Sequence, residues 1–150
     1  MPLTVIHHPG YTIELPDNHP FPMMKFRVLR EQLANAQLAM PIRWEKPQPA
    51  SLQALHRVHH KEYISALISG QLDRAAQRRS GFGWSPALVE RVRLETGGTL
   101  LTVEAALATG LACNSAGGTH HAHADAASGY CLINDLAVAA ADALARGWVS

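Results

Sequence analysis

A chain of 150 residues, 47% hydrophobic and 17% charged, is long and apolar enough to bury one core, which excludes a disordered or fibrous protein. A formal net charge of +1, with acids and bases spread along the chain, leaves no electrostatic footprint for nucleic acid or an anionic membrane. Cys113 and Cys131 are too few for a disulfide framework, no stretch approaches a membrane span, and Met1-Pro2-Leu3 lacks the basic start of a secretory leader, so a reduced, soluble, cytoplasmic protein is expected.

In chain order, "LTVIHH" (3–8) is a β-rich apolar run ended by Pro9-Gly10 and predicts a first strand. Prolines 16, 20 and 22 then mark a loop. Phe26, Leu29, Leu33, Ala36 and Met40 recur at helical spacing and predict a helix stopped by Pro41, followed by a short strand near Ile42–Trp44. Ser51 is placed to cap a short helix through Val58, and Tyr63, Ile64, Leu67 and Ile68 form the face of another, stopped by Gly70. Residues 71–84, with Arg74, Arg78, Arg79, Gly81 and Gly83, predict an exposed loop whose arginines read as solvated surface rather than a binding patch.

Ser85-Pro86 starts a further helix, because proline at the first helical position forfeits a donor that lacks a partner there anyway. Its pattern runs toward Ala108. Gly97-Gly98 inside it cost roughly 1 kcal/mol each against alanine, which predicts close packing or a local break. Residues 111–115 predict a buried parallel strand. Asn134 or Asp135 is placed to cap a last helix with an apolar face of Leu136, Ala139, Ala140, Ala143 and Leu144, ended by Gly147. Strands alternating with helices predict a layered α/β fold with a mainly parallel sheet, where sites form at the carboxyl ends of strands.

The stretch "GGTHHAHADAASGYCLINDLA" (117–137) occupies that place, just past a strand and before a helix. The chain has nine histidines, and His7-His8 and His59-His60 are also adjacent, so adjacency alone is no signal. His56, His59 and His60 fall at a helix end or turn, where capping or packing is the reading. His120 and His121 instead lie between Gly117-Gly118 and Ser128-Gly129, two turns that let a ligand approach the backbone. Adjacent residues point in different directions, so His120, His121 and His123 make a poor zinc triad, which needs converging ligands. Two imidazoles in separable environments suit acid–base work better. Spacing alone leaves a functional and a structural reading even.

The 117–140 stretch resembles the glycine-rich, double-histidine motif of the histone deacetylase family, with its following Ser-Gly-aromatic-Cys segment and Asn-Asp helix start. "HPFPMMKFRVLREQL" (19–33), "VHHKEYI" (58–64) and "GFGWSPALVERVRLETGGTL" (81–100) look similar to that family as well, nearest its bacterial and class IV-like members. The resemblance implies an arginase/deacetylase-type three-layer α/β fold with a mainly parallel sheet, truncated, with residues 1–150 as the amino-terminal part of a single deacetylase domain. It implies zinc-dependent hydrolysis of an acetyl amide on acetylated lysine or a related amine, the metal polarising the carbonyl and activating a water.

Carried over position by position, the resemblance implies His121 as general base and then acid, and His120 as electrostatic helper or proton donor. It implies Gly129 as the carbonyl facing the substrate amide, Tyr130 as a tunnel wall (phenylalanine is frequent there in the family) and Cys131 as a neighbour of the site. The family's zinc ligands, an Asp-x-His and a later aspartate, come after the last helix, as do the carboxylates that orient the histidines and a tyrosine. Zinc is therefore expected in the complete enzyme and not in this chain alone; Asp17-Asn18-His19 falls in the N-terminal family stretch and is no substitute. Two alternatives stay open: an inactive module that binds acyl-lysine or a partner chain, and adventitious metal binding by the 120–123 histidines. A free sheet edge at 111–115 would favour self-association.

Overall fold

The strands β1 (Leu3–Ile6), β2 (Ile42–Glu45) and β3 (Ala112–Asn114) form a parallel sheet in the order β2–β1–β3 in the computed structural model, which describes residues 1–150. Val5 pairs with Trp44 on one side and with Cys113 on the other. Flanked on both sides, β1 buries Thr4, Val5 and Ile6. The strand expected at 111–115 is parallel but shorter, and it is an edge rather than a buried element: Cys113 is exposed because β3 has β1 as its one neighbour.

Six helices surround the sheet: α1 (Lys25–Asn35), α2 (Leu52–Leu55), α3 (Lys61–Ser69), α4 (Arg74–Ser80), α5 (Pro86–Thr109) and α6 (Asp135–Ala145). None is long and apolar enough to cross a membrane. Four expectations are corrected. The first helix ends at Asn35, not at Pro41, since Ala36 turns to extended backbone; of its apolar stripe Phe26 is buried, while Leu29 and Met40 stay exposed. The helix after Ser51 stops at Leu55 rather than Val58, although Ser51 does cap it by accepting from the Ala54 amide.

The region 71–84 is not all loop. Asp73 accepts from the Ala76 amide at 2.7 Å and starts α4, and Gly81 ends it in the left-handed conformation at φ 75°. Ala, Gln and Arg between those stops are good helix formers without an apolar stripe, so hydrophobic periodicity could not reveal them. On α6 the buried face is Asp135, Val138, Ala139, Asp142 and Ala143, leaving Leu136, Ala140 and Leu144 outside. Two aspartates take inward positions because each meets donors there: Asp142 receives Arg57 at 3.2 Å and Arg146 at 2.7 Å, and Asp135 anchors the loop described below.

Ser85 caps α5 through the Leu88 amide, and the helix runs unbroken through Gly97-Gly98, so close packing explains both glycines. A Cβ on Gly97 would overlap the Gln48 carbonyl oxygen, and one on Gly98 the Tyr11 hydroxyl. The segment beside Gly97 is tied down: the Ala50 amide donates to the Arg93 carbonyl at 2.9 Å, and Arg93 donates back to the Ala50 carbonyl. Gly97→Ala should therefore lower stability by about 1–3 kcal/mol despite the ~1 kcal/mol gained in helix propensity. Urea unfolding would measure it, and an unchanged or raised midpoint would show that residues 47–50 yield freely. Around this contact the core gathers Tyr11, Leu55, Ile64, Leu67, Leu88 and Val138, all essentially inaccessible to solvent.

Candidate active site

Beyond β3 the chain leaves the carboxyl edge of the sheet and returns to α6 through residues 115–134. Its first anchor is Asn114, which accepts from the Tyr11 hydroxyl at 3.0 Å and donates to the Glu95 carbonyl on α5 at 3.3 Å. Gly117 and Gly118 follow at φ 80° and 73°, and a Cβ on Gly117 would lie 2.5 Å from the Asp135 carboxylate. That close approach lets Asp135 gather the loop. Its Oδ1 accepts from the Thr119 amide at 2.6 Å and the Thr119 hydroxyl at 2.8 Å; its Oδ2 accepts from the Gly118 amide at 2.9 Å and from the Thr99 hydroxyl.

The next two residues are His120 and His121, both exposed, their ring centroids 4.4 Å apart and their planes inclined by 34°. Asn134 closes the base of the loop. Its Oδ1 caps α6 at the Ala137 amide, and its own amide donates to Nε2 of buried His59 at 3.1 Å. Burial holds the His59 pKa below its ordinary value, which favours the neutral ring that this bond requires. His59 thus packs and accepts, as expected of a histidine near a helix end.

Opposite the histidines, Ser128 and Cys131 exchange two backbone hydrogen bonds of 2.9 Å around Gly129 and Tyr130. Both central residues have positive φ, 52° and 65°, the geometry of a type I′ turn. Tyr130 is the one non-glycine residue in the chain with positive φ. The turn is held from behind, since the Gly129 and Tyr130 amides donate to the Arg79 and Ser80 carbonyls at 3.1 and 3.0 Å. No protein donor engages the Gly129 carbonyl. The Tyr130 ring joins Phe21 at 5.1 Å, Phe82 at 5.4 Å and His19 at 6.2 Å in an aromatic wall.

These pieces enclose a cleft of about 280 Å³. The five expected site residues, His120, His121, Gly129, Tyr130 and Cys131, all line it. Cys131 is buried and its sulfur is committed, accepting from the Ala122 amide and donating to the Ile133 carbonyl; burial pushes its thiol pKa up. His123 does not join them: it is exposed, and its amide is tied to the Ala126 carbonyl within its own turn. No group of three or more His, Cys, Asp or Glu side chains is placed to hold a metal ion.

Sequence reasoning missed the far wall of the cleft. Arg91 and Glu95 line it as a buried pair, Nη2 to Oε1 at 2.6 Å, with Arg91 Nε donating to the Tyr11 carbonyl at 2.8 Å. An Arg and a Glu four residues apart look like a solvated helix face in a sequence, so no signal set this pair aside. Burial pushes the Glu95 pKa up to about 7, with Arg91 pulling it the other way and Asp135 adding to the rise. A folded-state pKa above the unfolded value contributes stability that is present at low pH and lost as pH rises through the folded value. Relative to Glu95→Gln, the unsubstituted protein should thus lose stability as pH rises from about 4.5 to about 7. Denaturant titrations at pH 5 and 8 measure this, and a constant difference between the two proteins would refute it.

Comparison with known proteins bears on the family and the fold of the chain. The sequence profile of the histone deacetylase domain matches residues 19–149. An uncharacterised protein of Picosynechococcus is 43% identical over 147 residues, covering 98% of this chain and 49% of that protein. The acetoin utilization protein AcuC of Staphylococcus aureus is 28% identical over 83% of this chain and 34% of its own length, and human histone deacetylase 1 is 29% identical over 81% and 27%. The chain thus spans about half the length, or less, of the curated relatives it matches. A histone deacetylase homologue from Aquifex aeolicus superposes with a TM-score of 0.73 at 23% identity, covering 98% of this chain and 42% of that one. The HD domain of HDA15 does so with a TM-score of 0.77 at 22% identity, covering 96% and 44%. At these identities the structural likeness shows the fold, an α/β deacetylase fold. With the domain profile running through all but the first strand and its loop, this chain belongs to the histone deacetylase family.

Proposed function

We propose that residues 1–150 form the amino-terminal part of a deacetylase domain that hydrolyses the acetyl amide of an acetylated lysine or related amine. The observation that carries this reading is the pair of exposed imidazoles on one side of a cleft whose other side is the Gly129–Tyr130 turn and its aromatic wall. In this reading the alkyl chain of the substrate lies against Tyr130 and Phe21, and its amide N–H donates to the free Gly129 carbonyl. His121 takes a proton from the attacking water and returns it to the departing amine, while His120 supports the charge that develops.

The family resemblance implies zinc, and these residues by themselves do not fit it. His120 and His121 lie ring against ring, and no third ligand converges with them. A metal held beside this pair would need donors other than His120 and His121. The same misfit favours a second reading, a module that binds an acylated lysine without hydrolysing it.

Acetate release decides between the two. The whole protein, incubated with an acetyl-lysine peptide and with an acetylated diamine, should liberate acetate above a heat-inactivated control. Saturable binding of the peptide without release would support the binding module, and neither binding nor release would overturn both readings.

A further inference from the structure

A second depression, about 480 Å³, lies on α4 and is lined by Arg74, Gln77, Arg78, Gly81, Phe82 and Gly83. It shares a wall with the cleft. Gly81 backs onto the Tyr130 ring, where a Cβ would come within 2.6 Å, and Phe82 packs on the same ring while the Ser80 carbonyl holds the Tyr130 amide. Arg74, Gln77 and Arg78 stand at i, i+3 and i+4, on one helix face. No carboxylate lines the groove, and neither arginine takes part in an ion pair; Asp73, the nearest acid in the chain, is occupied as the cap of α4.

Helix stability accounts for only part of this charge. Arg78 and Arg79 in the last turn complement the helix dipole, whereas Arg74 in the first turn opposes it. Two guanidinium forks lining one groove match the oxygens of a carboxylate, while the Gln77 amide between them donates to the Leu72 carbonyl at 2.9 Å. We propose that this groove is a substrate subsite that takes the acidic side chain of a residue adjacent to the acylated lysine in a polypeptide. The inference deepens the deacetylase reading and rests on it for the placement of the lysine in the neighbouring cleft.

Fluorescence anisotropy with four labelled peptides separates the two claims. Each carries a lysine, acetylated or not, flanked by Glu or by Gln. The unsubstituted protein should bind the Glu-flanked acetylated peptide roughly 3- to 10-fold more tightly than its Gln counterpart, the range expected of two exposed charge contacts. Arg74→Gln/Arg78→Gln should abolish that ratio. Arg27→Gln/Arg43→Gln, which removes two charges elsewhere, should keep it. Equal affinities for the two flanks, or a preference that survives in Arg74→Gln/Arg78→Gln, would overturn the subsite. A Glu preference that is lost with those arginines yet indifferent to acetylation would uphold the groove and count against the cleft as an acyl-lysine site.

Discussion

His121→Ala in the whole protein is expected to lower the rate of acetate release by roughly 10²–10⁴-fold, the usual contribution of a positioned general base. That range corresponds to about 2.7–5.5 kcal/mol of transition-state stabilisation. The ring is exposed and makes no hydrogen bond within the protein, so its removal should leave the thermal midpoint unchanged. Loss of rate with retention of stability would separate a chemical role from a structural one. His120→Ala should also reduce the rate, and pH–rate profiles of the two variants would distinguish base from helper. A His121→Ala protein that turns over an acetyl-lysine peptide at a near-normal rate would remove His121 from the mechanism.

Asp135→Ala is expected to have the larger effect on the fold. The carboxylate is 1% exposed and accepts four hydrogen bonds from Thr99, Gly118 and Thr119. Removing it takes the acceptor from two part-buried backbone amides, leaves the Thr99 hydroxyl only the Glu95 carbonyl, and deprives Gly117-Gly118 of the group that holds their left-handed turn. A charged acceptor contributes about 1.5–3 kcal/mol per hydrogen bond, though such contributions do not add, so a total loss of about 3–5 kcal/mol is expected. Asp135→Asn keeps the shape but turns one acceptor into an N–H facing other donors, and should fall between the two. Denaturant unfolding of the three proteins tests the order. A loss below about 1 kcal/mol for the alanine variant would show that the histidine loop holds itself without Asp135.

Asp135 also shows how a residue can be legible in one role and hidden in another. As a polar residue before an apolar run it reads as a helix cap, and Asn134 performs that task instead. Its bond partners lie 16, 17 and 36 positions away, at distances along the chain that no local pattern encodes. The arginines at 74 and 78 followed the same course. They read as solvated loop because α4 has no apolar stripe, and only its packing behind the Gly129–Tyr130 turn puts them next to the cleft.

What the sequence determines by itself is local and chemical. Short β-rich runs, serines placed as caps and glycines placed as stops yield the α/β alternation, and glycines around two histidines yield a sharply turning loop at the carboxyl end of a strand. Those signals act over a few residues, through backbone conformation and capping bonds, and so they survive in a linear reading. The outcomes that depended on which faces meet were decided in three dimensions. Leu136 and Leu144 lie outside and Asp135 and Asp142 inside because burial depends on whether a partner waits across the interface, not on polarity alone. Glu95, raised to about 7 beside Arg91, becomes part of the cleft for the same reason: its burial among α1, α5 and the histidine loop is a property of their assembly, which the spacing of an acid and a base along one helix does not contain.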